Sequence, residues 1–424
     1  MRSQSKHAIP DEGLPDLRLI SPSGIPRVDT LSMLSAIARL VAAGTAETKS
    51  ALVDATGLAR STVTSYVDML LRRHVLEAAG TVTKGVRGRP ADRLQISGGA
   101  GLVLAIDLGA RHARLGIGEL NQRILVQTSD RMDIREGPEA VLGGLSVVLE
   151  EHLARIGEGR AVRAVVIGVP ARVHGPSGMT VRPNIMPGWD RFPISHWLER
   201  RFGAPAILEN DVNLRAVGEA AALPDDQRPI LVLKVGTGVG AGMVDQSGGV
   251  LRGYDGSAGD IGHTPVRGAP VRPCTCGNSG CVEAAVSVPS IIRQLREEFP
   301  GLIDDERDDL DQLTALLARS EPTAVSVVRG AAEILGEVVA MLCNTLNPRR
   351  VVLGGDLTAS TDEILAGVRT VAYQRARPLA TRNLVITHSR LGEMGGVAGA
   401  LVLGREAALS PEGLRLLHTS SAGA

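Results

Sequence analysis

Residues 259–285 read GDIGHTPVRGAPVRPCTCGNSGCVEAA and place His263, Cys274, Cys276 and Cys281 in one short stretch. One imidazole and three thiolates are the donor set of a closed structural zinc site. Gly277 and Gly280 let the chain fold back around an ion. A Cys-x-Cys pair closes its own disulfide only with strain. The spacing therefore predicts a set of metal ligands, not a disulfide framework. The fourth cysteine, Cys343, falls in an apolar helical run and reads as core.

On either side of this stretch the chain alternates strands and helices from about residue 101. LVLAIDLG, RLGIGEL and RILVQTS read as successive strands, followed by a helix over Pro138–Ile156 and a buried strand, AVVIGVP. Later come ILVLKVGTGVGAGMV, a long helix over Ala324–Leu346, VVLGGDL and LVITHS. The alternation predicts an α/β fold. The openings at 102–118 and 230–244 look like one three-stranded start used twice. They divide residues 98–424 into two related lobes, about 101–225 and 226–424.

Ahead of these lobes the pattern differs. Residues 1–26 are rich in Pro, Ser and Gly without periodicity and are expected to form a flexible tail. Over 27–97, Leu31, Leu34, Ile37, Ala38 and Val41 recur at helical spacing up to Gly44. Thr48 can cap a second short helix ended by Gly57, and Arg60 or Ser61 opens a third with Val63, Val67, Leu70 and Leu71 on one face. Two β-prone pieces, Val75–Ala79 and Arg93–Ile96, follow. This order predicts a small α+β winged helix-turn-helix domain. The segment holds ten basic and six acidic residues, a local excess of four positive charges. Arg60, Ser61, Thr62, Thr64 and Ser65 at the start of the third helix are candidates to meet base edges or phosphates, and Arg87 and Arg89 in the wing to meet phosphate. A small helical protein-interaction module is the competing reading.

Composition narrows the classes. The 424 residues suggest two or three domains at about 150 residues each. Forty-six basic and 46 acidic residues cancel, which excludes a globally basic coat for nucleic acid or an anionic membrane. Only 3 Phe, 2 Trp and 3 Tyr argue against RNA or single-strand modules, which need stacking platforms. No apolar run approaches the roughly 18 residues of a membrane span. The start, MRSQSKHAIPDEGLPDL, lacks the apolar segment of a secretory signal. A cytoplasmic location is expected.

Three further stretches are individually ambiguous. KVGTGVGAG (Lys234–Gly242) brings glycines close enough for backbone N–H groups to approach an anion, or forms a plain hairpin turn. IDLGARHARLGI sets Asp107 at a strand end before a turn, where a carboxylate can hold a metal–phosphate group. ILENDVNLRAVGEA puts Asn210 and Asp211 ahead of a helix over Val212–Ala221. Asp211 can act as general base on a hydroxyl while Asn210 holds its neighbour. Capping of that helix by Asp211 or Asn213 fits the same residues.

Together, Cys274-x-Cys276-Gly277-x-x-Gly280-Cys281-x-Glu283 and the preceding Asp260-Ile261-Gly262-His263 resemble the paired signatures of the ROK family (repressors, open reading frames and sugar kinases). The resemblance spans about 101–410 and extends to Pro183-Asn184, Glu209-Asn210-Asp211, Val235–Gly242 and Leu353-Gly354-Gly355. The winged helix ahead of it resembles the family's repressor branch. The resemblance implies a two-lobed, actin-like sugar-kinase fold with a monosaccharide or its derivative in the cleft. Asn184, Asn210, Asp211, Asp260, His263 and Glu283 would contact sugar hydroxyls, His263 serving the metal as well. Asp211 would be the base in any phosphoryl transfer. Asp107, Gly109, Gly236, Thr237, Gly238, Gly240, Gly354 and Gly355 would form the phosphate and nucleotide cradle.

Two departures stand out. Asp260 occupies a position where the family's kinases usually have Glu. Asp107-Leu108-Gly109-Ala110-Arg111 stands where those kinases carry Asp-x-Gly-Gly-Thr. Ala110 adds a Cβ on the phosphate approach and Arg111 replaces a hydroxyl with a cation. The expected protein is a sugar-responsive repressor of carbohydrate uptake or metabolism genes, a homodimer or homotetramer on a double-stranded operator. It would carry structural Zn2+, and would use ATP and Mg2+ only if kinase activity is retained. The rival is an active ATP-dependent, glucokinase-like hexose kinase with a DNA-binding appendage.

Overall fold

The computed structural model describes residues 29–82, 91–157, 160–174, 177–181, 183 and 185–420. Its first unit is the three-helix head. Asp29 caps α1 (Thr30–Ala42) by accepting the Ser32 N–H at 2.9 Å. Thr48 caps α2 (Lys49–Thr56) through the Ala51 N–H, and Gly57 ends that helix at φ +64°. Helix α3 (Arg60–Arg72) buries Val63, Val67 and Leu70 on one face. Strands β1 (Leu76–Val82) and β2 (Ala91–Ile96) pair antiparallel behind it.

The first lobe is a five-stranded sheet. Strands β3 (Leu102–Leu108), β4 (His112–Glu119) and β5 (Ile124–Arg131) run antiparallel. After α4 (Pro138–Ile156), β6 (Val162–Val169) joins parallel to β3. A small β7 (Val173–His174) and β8 (Met179–Thr180) hairpin and α5 (Ile194–Phe202) lead to β9 (Ala206–Asn210), parallel to β6. Helix α6 (Asp211–Ala221) follows directly. All of β3 is buried because both faces are covered. Leu102, Leu104, Ile106 and Leu108 pack with Val141, Leu142, Leu145 and Leu149 of α4, whereas Val103 and Ala105 share a core with Val397 and Leu401.

The second lobe repeats the plan with one strand fewer. Strand β10 (Ile230–Val235) pairs antiparallel with β11 (Val239–Val244). The expected third strand is replaced by a long irregular segment containing the His/Cys stretch. Just past Val244, the Asp245 carboxylate accepts the N–H groups of Ser247 and Gly249 at 2.8 and 2.9 Å. The turn brings the chain back onto β11 for one antiparallel bridge, Val244 with Val250, before it departs. Helices α7 (Glu283–Val286), α8 (Val288–Glu298), α9 (Asp309–Ala318) and α10 (Pro322–Leu346) then precede β12 (Arg350–Gly354), parallel to β10. Helices α11 (Asp356–Ser360), α12 (Glu363–Arg375) and α13 (Pro378–Thr381) precede β13 (Val385–His388), parallel to β12.

The last two helices leave the second lobe. Helix α14 (Gly395–Ala408) packs on α6, β3 and β6 of the first lobe, and α15 (Pro411–Ser420) packs on α1 of the head. Glycines set the crossing of α14 and α6. A Cβ on Gly399 would lie 1.8 Å from the Leu214 carbonyl oxygen, and one on Gly218 2.5 Å from that of Gly395. The head is fastened through the same seam. Ser35 Oγ donates to the Leu409 carbonyl at 2.7 Å, Arg39 and Glu406 approach to 3.7 Å, and Gln122 Nε2 donates to the Ala42 carbonyl at 2.5 Å. One apolar cluster runs from Leu34, Ile37 and Val41 through Leu409 and Leu414 to Leu401. Among the described residues no helix is long and apolar enough to cross a membrane.

Gly399→Ala places side-chain volume against fixed backbone and should destabilise the chain by at least about 2 kcal/mol. Urea unfolding of wild type and variant measures this.

Candidate functional site

The two sheets open onto a cleft of about 2170 Å³. It gathers Asp107, Gly109, Asn210, Asp211, Thr237, Gly238, Gly240, Asp260, His263 and Glu283. Gly354 and Gly355 line an adjoining hollow of about 360 Å³ that shares Arg215 and Asp356 with the cleft. Asn184, Arg87 and Arg89 lie outside the described residues.

Strand ends and one helix start furnish the floor. Asn210 is the N-cap of α6: its Oδ1 accepts the N–H groups of Val212 and Asn213 at 2.9 and 3.2 Å, and its Nδ2 donates to the Ala171 carbonyl at 3.1 Å. Capping thus falls to Asn210, where the sequence offered Asp211 or Asn213. Asp211 is 3% exposed. Its Oδ1 accepts the Val212 N–H at 2.9 Å, and its Oδ2 is ion-paired with the Lys234 ammonium from β10. Asp107, at the end of β3, is paired with Arg215 of α6 at 3.2 Å, both residues being buried. Removing one partner of such a pair strands a buried charge, at a cost of about 3–5 kcal/mol.

More cations stand around this floor. The buried Arg114 meets Glu393 at 3.0 Å and approaches His112 Nε2 at 2.5 Å. Burial first, and the Arg114 charge next, hold the His112 imidazole below its usual 6.5. Arg111, in the altered first turn, reaches across the cleft to pair with Asp308 at the cap of α9. Arg172 Nε donates to Asp260 Oδ2 at 2.7 Å, so the shortened acid is already engaged. Behind it, Arg252 reaches Glu209 at 2.7 Å.

The glycine turn after β10 carries carboxylates. Val239 N–H donates to Glu283 Oε2 at 3.1 Å. A Cβ on Gly236 would lie 3.3 Å from Asp356 Oδ2. Lys234, Arg215 and Asp356 were not singled out in the sequence. The scarcity of lysine, one of four being Lys234, was the signal available.

Beside the cleft sits the His/Cys cluster. The ligand atoms of His263, Cys274 and Cys276 lie within 4.8 Å of one another. Cys274 Sγ is 3.4 Å from His263 Nδ1, and Cys281 Sγ is 3.8 Å from Cys276 Sγ. The Asn278 backbone N–H, the largest influence, lowers the Cys276 thiol pKa. Burial and the neighbouring thiols push that of Cys281 up to about 12. Three N and S donors converge here with the Cys281 thiol beside Cys276, a donor set whose chemistry fits a soft metal ion, and such a cation would favour the thiolates. His263 turns Nδ1 to the sulfurs while Nε2 lies 3.9 Å from Asp260 Oδ1. One imidazole therefore joins the His/Cys cluster to the cleft.

In the head, Arg60, Ser61 and Ser65 are exposed at the start of α3, with Thr62 and Thr64 half-buried beside them. Two head cations are committed internally: Lys49 to Asp68 at 2.9 Å, and Arg93 to Glu47 through two bonds of 2.9 and 2.8 Å.

Residues 103–407 match the ROK family, and the chain belongs to it. Over 367 residues it is 29% identical to a putative xylose repressor of Caldicellulosiruptor sp. (strain Rt8B.4), covering 84% of this chain and 90% of that one. It is 33% identical over 225 residues to a glucokinase of Halalkalibacterium halodurans, covering 50% of this chain and 67% of that one. A crystal structure of a ROK family transcriptional regulator, described as a homologue of the E. coli MLC protein, superposes with a TM-score of 0.77 at 22% identity. It covers 92% of this chain and 98% of its own. So wide a span takes in the head as well as the two lobes, and it establishes the shared fold.

Cys276→Ser should release metal from a chain that otherwise retains one ion per molecule, and should lower the thermal midpoint. Elemental analysis after gel filtration, with a melting curve on the same sample, checks both outcomes.

Proposed function

We propose that this ROK chain is a sugar-responsive transcription regulator acting as a repressor. The head binds double-stranded DNA, and the cleft receives a monosaccharide or a derivative of one. The observation that carries this reading is structural. A winged three-helix head with a polar, exposed recognition-helix start shares one apolar core with a sugar-kinase-like body. Names of relatives agree, since the xylose repressor matches along 84% of this chain and the glucokinase along 50%.

The cleft and the head are joined by packing. Asp211 opens α6, α6 is pressed on α14 through Gly218 and Gly399, and the end of α14 meets α1 at Leu409. A sugar that moves α6 moves the seat of the head, and in a symmetric dimer it changes the spacing of two heads. A dimer or tetramer is part of the proposal. One head, with an excess of four positive charges, makes few phosphate contacts and holds DNA weakly by itself. His263, Cys274, Cys276 and Cys281 hold zinc, which secures the segment leading to Glu283. The kinase reading has the placement of Asp211 in its favour; a coupled ADP-release assay on a hexose panel decides it, with turnover near 10 per second, about the median for enzymes, placing the protein among the kinases.

Footprinting upstream of sugar-uptake and sugar-metabolism genes tests DNA binding. The expected pattern is an inverted repeat with half-site centres about 34–36 Å apart, or a multiple of that. Removal of residues 1–97 should abolish protection. Changing Thr62 or Ser65 should alter discrimination among sites, whereas removing Arg87 with Arg89 should weaken all sites similarly and flatten the salt dependence. A chain without residues 1–97 that still protects the same site contradicts the proposal.

A further inference from the structure

The cleft floor is occupied by cations of the chain itself. Each carboxylate oxygen of Asp211 already holds one donor, Oδ1 the Val212 N–H and Oδ2 the Lys234 ammonium. A general base needs a lone pair directed at the substrate hydroxyl, and an ammonium seated on that oxygen takes up that direction. Asp107 is likewise tied to Arg215, with the pair buried from water. A carboxylate in a fixed guanidinium pair is a poor ligand for a hydrated divalent ion, which must displace the pair to bind.

The anion cradle is also filled with the wrong charge. The Asp356 carboxylate stands over Gly236, and Glu283 takes the Val239 N–H that would otherwise point at a phosphate. Among the described residues, the cleft wall carries twelve Asp and Glu against eight Lys and Arg. Such a wall repels a polyanion, and six of the eight cations, Arg111, Arg114, Arg135, Arg172, Arg215 and Lys234, are ion-paired to carboxylates.

We propose that Lys234 and Arg215 stand in for a metal–nucleotide, neutralising Asp211 and Asp107 so that the cleft takes an uncharged monosaccharide and rejects nucleoside triphosphates and sugar phosphates. Lys234 is then a specificity-determining and positioning residue. It fixes the orientation of Asp211, leaving the remaining lone pairs of that carboxylate to accept from sugar hydroxyls. The choice of ligand rests on the sugar-receptor reading; the exclusion of metal and nucleotide does not.

Calorimetry and electron paramagnetic resonance on the zinc-loaded full chain test it. Wild type should give no binding heat with magnesium–ATP at millimolar concentration, and the neutral monosaccharide that binds should do so equally well with or without it. Manganese(II) is the metal probe. Arg215→Ala combined with Lys234→Thr should take up one ion more than wild type, whereas Lys234→Arg should take up none extra. Lys234→Thr should weaken the sugar by about tenfold or more, equivalent to about 1.4 kcal/mol, and Lys234→Arg should restore it. If the double variant does not fold, Lys234→Thr carries the manganese comparison alone. Magnesium–ATP binding to wild type overturns the proposal. So does tighter binding of a sugar phosphate than of its parent, or a folded variant with freed carboxylates that takes up no extra manganese. A wild type that binds no monosaccharide overturns the receptor reading, and the nucleotide and manganese arms still decide this one.

Discussion

Backbone-to-backbone contact between α6 and α14 is the constraint on which the rest of the molecule depends. No side chain fits where Gly399 meets the Leu214 carbonyl, and Gly396 leaves the room in which the Asp107 carboxylate sits. A helix pair packed this closely responds as a unit, because it has no side-chain layer to absorb a shift. One end of the unit carries Asp211 and, through Gly396, lies against Asp107 of β3 at the cleft floor. Its other end reaches Glu406 and Leu409 beneath α1. The cleft and the three-helix head are therefore attached to the same rigid element, although they are far apart in the sequence.

Charge gives the floor its second property. A kinase of this architecture needs a free base, a free metal ligand and an uncovered phosphate cradle. Here Lys234, Arg215 and Asp356 act against each in turn, and Arg111 spans the cleft to Asp308 in place of the expected hydroxyl. The departures visible in the first turn thus stand beside ion pairs elsewhere around the cleft. Such pairs hold a fixed geometry without a cofactor, which suits a receptor better than a catalyst.

Much of this was legible in the sequence because its signals were local. The His/Cys spacing, the cap at Thr48 and the runs of β3, α4 and α10 each depend on neighbours in the chain. What was not legible depends on contacts between distant segments. Lys234 meets Asp211 from 23 positions away and Arg215 meets Asp107 from 108. Nothing in either segment specifies the other as its partner. Asn210 gave a mixed signal, since one residue type serves a hydroxyl contact and a helix cap equally well, and the structure uses it as the cap. The third strand of the second lobe is cut to a single antiparallel bridge, Val244 with Val250, beyond the Asp245 turn, a shortening that strand counting does not show. Crossing of α14 back to the first lobe is a matter of topology that hydrophobic periodicity does not carry.

Hydrogen exchange of the full chain with and without a saturating monosaccharide tests the central claim, that the cleft and the head move as one. Sugar should change amide protection in α6 and α14 and also along the α1–α15 seam around Ser35 and Leu409. Protection that changes at the cleft floor while α1 and α15 exchange as before would contradict it.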